Sequence, residues 1–290
     1  MKQRLCEVCG SGNFKRLFEK EKHGFFRCRS CQLIRIDPPP TDEVLGGIYG
    51  AKYYDAWGVQ TGADRVRQLK MLTFRTHVFN KANFAPGSRV LDCGAAFGAL
   101  MEVVKERGGE PYGIELAAEA AAEIGHRFGS DRVFSGPFEQ ASFPGLGDGA
   151  FDVVFMCDFI EHVRDPLAVL RKASKLLKRA GRIVITTPDG GSASNRLMGA
   201  GWPHYKIEHL YYFNRHNLPL LLKQAGVSTT SAGSAWKVLN LQYIQHQFNT
   251  YPRAVITPLI NLLARCVGAR LRQRPISVRL GEMIIAGTKD

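Results

Sequence analysis

The chain has 290 residues, 45% hydrophobic and 22% charged, as in a soluble globular protein of one large domain or two modest ones. No run of eighteen or more apolar residues occurs, which excludes a transmembrane helix, and the opening MKQRLCEVCG lacks the apolar core of an export signal, so the seven cysteines are expected as cytoplasmic thiols. The net charge of +13 sits mostly at the two ends, nine Lys/Arg against three acids over 1–35 and seven against two over 250–290, which points to an anionic partner such as nucleic acid, a phosphorylated substrate or a membrane surface.

The first element is a pair of Cys-x-x-Cys knuckles, Cys6–Cys9 and Cys28–Cys31, separated by eighteen residues. Four thiolates at this spacing suit one tetrahedral Zn2+ in a closed structural site. Phe14, Leu17, Phe18, Phe25 and Phe26 between them predict short strands packed over the metal. So small a ribbon, expected over 1–37, draws much of its folding energy from the metal. The three prolines of DPPPTDEVL, Asp37 to Leu45, predict a stiff extended linker. Asp64 to Phe84 then reads as an amphipathic helix, with Val66, Leu69, Leu72 and Phe79 among Arg65, Arg67, Lys70, Arg75 and Lys81. Residues 38–85 are expected as a linker and helix capping the substrate side, and 86–290 as a further domain.

From Arg89 short apolar runs alternate with helix-like stretches. Strands are expected over Val90–Cys93, Pro111–Glu115, Val133–Phe134, Phe151–Asp158 and Gly181–Pro188. Helices are expected over Gly98–Arg107, Ala117–Arg127 and Pro166–Leu177. This alternation predicts an α/β fold with a parallel sheet covered on both faces, and ligands bound beyond the carboxyl ends of the strands.

The first strand runs into VLDCGAAFGAL, with Asp92-x-Gly94-x-Ala96-x-Gly98. A dinucleotide turn has G-x-G-x-x-G, so that a helix N-terminus receives a pyrophosphate. An acid aimed into the site repels a pyrophosphate and suits a cation. Glu115, seventeen residues after Gly98, ends the next strand, where a carboxylate can take both ribose hydroxyls. Together these fit S-adenosylmethionine, which carries an amine and a sulfonium and whose carboxylate can rest on the helix N-terminus. Ala96 stands where such turns usually have a glycine, and its methyl group fits if its φ is negative.

The chain resembles the class I S-adenosylmethionine-dependent methyltransferases through CEVCG, CRSCQLIRIDPPPTDEVL, YGAKYYDAW, VLDCGAAFG, YGIEL, FDVVFMCDFIEHVRDPLAVLRKASKLLKRAGRIVITTP, WPHYKIEHLYYFN and QAGV, over about residues 1–235. Within them it resembles the bacterial group in which a four-cysteine zinc module precedes the catalytic domain. That group includes sugar C-methyltransferases and methyltransferases resembling those of cell-surface polysaccharide assembly. The resemblance implies a Rossmann-like seven-stranded sheet whose last strand is antiparallel. It implies that Asp92, Gly94, Ala96 and Gly98 cradle the methionine part, Glu115 the ribose, and Phe138 and Glu139 the adenine, with Asp158 at the mouth. Pro137 stands where the family often has an acid for the adenine amino group.

Methyl transfer to a hydroxyl or carbon acid needs an aligned nucleophile and a base, and histidine suits the base. Two Glu-His pairs stand out, Glu161-His162 and Glu208-His209. By resemblance His209 is expected as base with Glu208 beside it, and His162, Tyr53 and Tyr54 around the acceptor. The plainer readings are that Glu161-His162 is structural and that His209 caps a helix starting near Asn214. The sugar C-methyltransferases carry a further C-terminal domain for which this chain is too short, which shifts the expectation to O-methylation of a sugar, glycan or lipid-linked saccharide.

After QAGVSTTSAGSAW, an insertion over about 243–275 precedes the expected last strand, GEMIIAGTK. In it Leu259, Ile260, Leu263, Cys266 and Val267 make a broad apolar face and Asn261, Arg265, Gly268 and Arg272 a narrow polar one. Such a helix packs on the core or a second subunit, or lies at a membrane surface over 258–274. Two further classes fit parts of the chain. A ribosomal-RNA-type methyltransferase behind a zinc ribbon suits the basic ends, although the ribbon offers no base-stacking platform. A non-catalytic, zinc-dependent interaction protein is the other.

Overall fold

The computed structural model describes residues 4–48, 59–250 and 256–290, with the backbone alone over 59–64. The chain opens with β1 (Phe14–Lys20), β2 (His23–Cys28) and β3 (Ile34–Asp37), followed by α1 (Asp42–Ile48) and α2 (Val59–Thr73). Alternating elements follow: β4 (Arg89–Cys93), α3 (Ala99–Glu106), β5 (Glu110–Glu115), α4 (Ala118–Phe128), β6 (Val133–Ser135), β7 (Phe151–Cys157), α5 (Pro166–Leu176) and β8 (Leu177–Pro188). The remainder is α6 (Ala193–Met198), β9 (Tyr211–Tyr212), α7 (Asn217–Gln224), β10 (Val227–Ser234), β11 (Lys237–Leu239), α8 (Leu241–Thr250), α9 (Ile256–Cys266), α10 (Ala269–Arg272), β12 (Ile276–Val278) and β13 (Glu282–Lys289).

Seven strands make the central sheet in the order β10-β13-β8-β7-β4-β5-β6. The final strand β13 is antiparallel to both of its neighbours and the other pairs are parallel, as the family resemblance implies. Both faces are covered. Leu91, Val154, Met156, Ile183 and Ile185 enter one core, and Val90, Val153, Phe155 and Val184 enter the other. Successive residues of a strand point to opposite faces, so strands buried on both sides read as the unbroken apolar runs of the sequence. Each such buried aliphatic side chain contributes about 1.5–3 kcal/mol.

The cysteine ribbon is joined to this body by more than a linker. β3 pairs with β9, Ile34 opposite Tyr212 and Arg35 opposite Tyr211, so β1-β2-β3-β9 is one antiparallel sheet. Phe25, Ile34 and Ile36 are buried against Trp202, Tyr205 and Tyr212, while Cys6, Val8 and Leu33 enter the main core. Of the ribbon phenylalanines expected over the metal, Phe18 and Phe25 pack instead on Tyr205, while Phe14 joins the core that holds Cys6 and Cys28. A short two-layer ribbon lacks apolar area of its own, and this sharing supplies it.

The helix expected over Asp64–Phe84 runs from Val59 to Thr73, then opens into a π turn (Phe74–Val78) and closes with a 3-10 turn (Phe79–Lys81). Thr73 and Thr76 donate their hydroxyls to the carbonyls of Leu69 and Leu72, at 3.0 and 2.7 Å. Such back-bonding loosens a helical ladder at that point. The Thr73 hydroxyl also accepts the Val238 amide at 2.8 Å, which ties α2 to β11.

Candidate active site

Beyond β4 the chain turns into α3 through Gly94 (φ 79°), Ala96 (φ 48°) and Gly98 (φ 68°). A Cβ at Gly94 would lie 3.2 Å from Phe159, and one at Gly98 3.0 Å from Ile124, so packing and backbone conformation both demand glycine there. Ala96 does not meet the condition of a negative φ under which its methyl group fits without strain: its φ is positive. Glu115 at the end of β5 engages this turn: its Oε2 accepts the Ala96 amide at 2.8 Å and its Oε1 the Ala117 amide at 2.9 Å. A carboxylate has about four acceptor positions, and these two amides take one on each oxygen.

Asp92 is buried on β4 behind this turn. Burial raises its carboxyl to about 7; Lys70 lowers it and Glu115 adds to the rise. A cation bound at the turn would hold Asp92 in its ionised form, whereas a pyrophosphate would be repelled. The donor set therefore fits the amine and ribose of S-adenosylmethionine. For the adenine, Phe138 is buried and meets Phe159 edge to face at 5.8 Å, while Glu139 is exposed. Leu116, directly after Glu115, exposes 54% of its surface and offers an apolar face that the sequence reading missed.

Asp158 follows β7 with φ 54°, its amide donating to the Thr186 carbonyl at 2.9 Å. Its carboxylate meets Lys237 Nζ at 3.1 Å, and Lys237 also meets Glu282 at 2.6 Å. Burial alone would raise the Asp158 carboxyl, but Lys237 and Lys70 hold it low. The mouth residue is thus ion-paired to β11, an element the sequence reading assigned no role.

Three residues farther, Glu161 is fully buried and accepts the Thr187 hydroxyl at 2.9 Å on Oε2, while Oε1 has no partner. His162 donates from Nδ1 to the Glu208 carbonyl at 3.0 Å, because a backbone carbonyl only accepts. That bond leaves Nε2 as the unprotonated nitrogen of the neutral ring. The His209 ring stands 4.7 Å from that of His162 at 88°, and its buried Nδ1 lacks a partner. One polar atom from each of Glu161, His162 and His209 lies within 4.8 Å of the others, a set of metal-ligand type as well as of acid-base type. Burial pushes His162 down to about 4 and His209 well below the usual imidazole range, and raises Glu161 to about 8. At neutral pH both imidazoles are therefore uncharged.

Glu208 is placed differently from its expected position as the partner of His209. Its carboxylate lies 3.8 Å from Lys206 Nζ, and it is the Glu208 backbone carbonyl that orients His162. The carboxyl group beside the histidines belongs to Glu161, whose signal was its position directly before His162. His209 does not cap the following helix, since Asn214 Oδ1 accepts the His216 and Asn217 amides instead. Tyr53 and Tyr54 lie outside the described residues.

The four ribbon cysteines converge, with all four Sγ atoms within 4.8 Å of one another. Cys6 and Cys31 are 3.5 Å apart and Cys9 and Cys28 3.6 Å apart. In both knuckles the residue after the second cysteine has a left-handed φ and donates its amide to the first cysteine's carbonyl, Gly10 to Cys6 and Gln32 to Cys28. This sulfur tetrad is of the size and chemistry that Zn2+ takes. The knuckle backbones are held from α7, Asn217 donating to the Cys31 carbonyl at 3.2 Å and Gln224 to that of Val8 at 2.8 Å.

A family profile described as "Methyltransferase domain" matches residues 63–232. Among curated relatives, a ubiquinone biosynthesis O-methyltransferase of Xanthomonas campestris pv. campestris is 30% identical over 135 residues, which is 42% of this chain and 56% of the relative. The chain therefore spans little more than half the length of that relative. Among solved structures, the [4+2]-cyclase SpnF superposes with a TM-score of 0.56 at 18% identity, over 87% of this chain and 98% of its own. The 1,6-didemethyltoxoflavin-N1-methyltransferase of Burkholderia thailandensis, solved with S-adenosylhomocysteine, gives 0.53 at 15% identity over 95% and 99%. These likenesses establish the fold, and the presence of a cyclase among them means that the fold alone does not fix the reaction. By the profile match, the chain belongs to the methyltransferase-domain family.

Proposed function

We propose that the protein transfers a methyl group from S-adenosylmethionine to a hydroxyl of a small-molecule acceptor, a sugar, glycan or lipid-linked saccharide, with His209 as the base. The bound cofactor supplies an electrophilic methyl group for in-line displacement. Asp92 holds the cationic amino-acid end, and the turn from Gly94 to Gly98 admits it closely. Glu115 fixes that turn and accepts the ribose. The observation that carries the acceptor side is the juxtaposition of His209, His162 and Glu161, with His209 Nδ1 and Glu161 Oε1 buried and unpartnered beside the ion-paired Asp158 mouth. A desolvated, neutral imidazole can receive a hydroxyl proton as the new bond forms, while the Glu208 carbonyl holds the neighbouring His162 ring in place.

Oxygen as the methylated atom is supported by the name of the ubiquinone-pathway relative, and a saccharide by the ribbon-plus-domain resemblance. The four cysteines serve in this reading as a structural Zn2+ site. A cytoplasmic setting suits this reading, with four cysteines as metal-binding thiolates and Cys93, Cys157 and Cys266 as free thiols. The test is methyl transfer from labelled S-adenosylmethionine to a panel of nucleotide sugars, lipid-linked saccharides and RNA. His209→Ala is expected to lower turnover by about 100-fold or more while S-adenosylhomocysteine still binds. Unchanged turnover in that variant would remove His209 from the mechanism, and RNA as the sole acceptor would replace the saccharide reading.

A further inference from the structure

The insertion between β11 and β12 presents an apolar face outward. α9 meets α8 through Asn261, which bonds Gln245 at 2.9 Å and Asn249 at 3.0 Å, and Thr257, which donates to the Phe248 carbonyl at 3.1 Å, on the side where Ile256 and Ile260 are half-buried. Of its residues only Ala264 is buried. Leu259, Leu262 and Leu263, spaced to share one face of the helix, are 59%, 59% and 52% exposed, and later in the same segment Leu271, Ile276 and Leu280 are 61%, 46% and 45% exposed. An amphipathic helix that folds only onto its own protein points such leucines inward. Leucines exposed together on one helix face mark a contact with something else.

Charge selects the occupant. Residues 256–281 contain five arginines, Arg265, Arg270, Arg272, Arg274 and Arg279, and no Asp or Glu. A two-fold pairing of this surface with itself would bring arginines against arginines with no acid from the segment to offset them. An anionic lipid bilayer accepts both components, the leucines among its acyl chains and the guanidinium groups at its headgroups. Among the described residues no helix is long and apolar enough to cross a membrane, so the contact is a surface one. Trp236, 36% exposed under the Arg279 guanidinium at 4.2 Å, joins the patch to Lys237, which reaches the Asp158 mouth.

We propose that α9 and the arginine-rich segment up to β13 form a docking surface for anionic membranes, set beside the mouth of the acceptor site. The surface stands apart from the identity of the acceptor and from the reading of His209. The test uses the full chain with vesicles of phosphatidylcholine, with and without phosphatidylglycerol, followed by flotation at low and high salt. Co-flotation with the phosphatidylglycerol vesicles, weakened by salt, is expected. Leu259→Ser/Leu263→Ser is expected to lose about tenfold or more in vesicle affinity. Arg270→Glu/Arg272→Glu is expected to lose the preference for the anionic lipid. Both variants should bind S-adenosylhomocysteine as the wild type does, which shows them folded and separates this outcome from any failure of the methyltransferase reading. Absence of flotation at low salt would overturn the proposal. So would sedimentation showing a wild-type dimer that the leucine substitutions dissociate, since the surface would then belong to a second copy.

Discussion

The Ala96 amide donates to Glu115 Oε2 at 2.8 Å, joining the turn after β4 to the end of β5. The same carboxylate accepts the Ala117 amide, so one side chain fixes two backbone segments around that turn. A residue that the sequence offers as a ribose ligand is therefore also the brace of that turn. The brace also accounts for an alanine remaining at φ 48°, where the left-handed conformation costs an L-residue roughly 1–2 kcal/mol.

Ala96→Gly removes that strain but adds freedom to the unfolded chain, a loss of about 0.4–1 kcal/mol. The net expectation is a gain in stability of about 0.5 kcal/mol, read from urea unfolding, with cofactor affinity unchanged or slightly tighter. A clear loss of stability would show that the methyl group makes a packing contribution at this turn.

Cofactor binding is expected to be linked to a proton on Asp92. Burial, opposed by Lys70 and aided by Glu115, places this carboxyl at about 7 in the free protein. A cationic ligand binds the carboxylate better than the acid, so binding expels the proton. Affinity is then lowest in acid, rises through neutrality and levels off above it, by up to about tenfold per pH unit on the acid side. Titrations with S-adenosylhomocysteine between about pH 6 and 8, in buffers of different ionisation enthalpy, read both the slope and the released proton. Affinity and heat independent of pH and buffer would contradict the assignment.

The cysteine ribbon is expected to matter for acceptor turnover before it matters for cofactor binding. β3 pairs with β9 two residues from His209, and α7 grips both knuckles. Metal chelation, or Cys28→Ser, should loosen the aromatic cluster of Phe25, Trp202, Tyr205 and Tyr212 and lower turnover by roughly an order of magnitude. S-adenosylhomocysteine should still bind, because its turn belongs to β4 and β5. Near-ultraviolet circular dichroism and calorimetry on the same sample separate the two effects; equal loss of both would place the ribbon under the whole fold.

The central sheet was legible because strands buried on both faces leave continuous apolar runs, as in FDVVFM, and because turns need residues such as Gly94 and Gly98. The sulfur tetrad was legible from spacing alone. What escaped depended on contacts distant in sequence. Nothing local in KIEHLYYF reveals that Tyr211 and Tyr212 extend the ribbon's sheet, or that Glu161 rather than Glu208 places its carboxyl group beside His209. The positive φ of Ala96 is likewise set by Glu115, nineteen residues away. The apolar pattern of α9 was legible, but not how it divides: Ile260 is half-buried on the side where Asn261 reaches α8, and Leu259 and Leu263 face out.

Calorimetric titration of S-adenosylhomocysteine into the wild-type chain and into Asp92→Ala tests whether the turn after β4 holds the cofactor. Saturable binding at one site per chain is expected in the wild type. Removing Asp92 should cost about 1.5–3 kcal/mol, some 10- to 100-fold in affinity, as for loss of a charged hydrogen-bonding partner. Absence of binding to the wild type, or equal affinity in the two proteins, would contradict a cofactor held there.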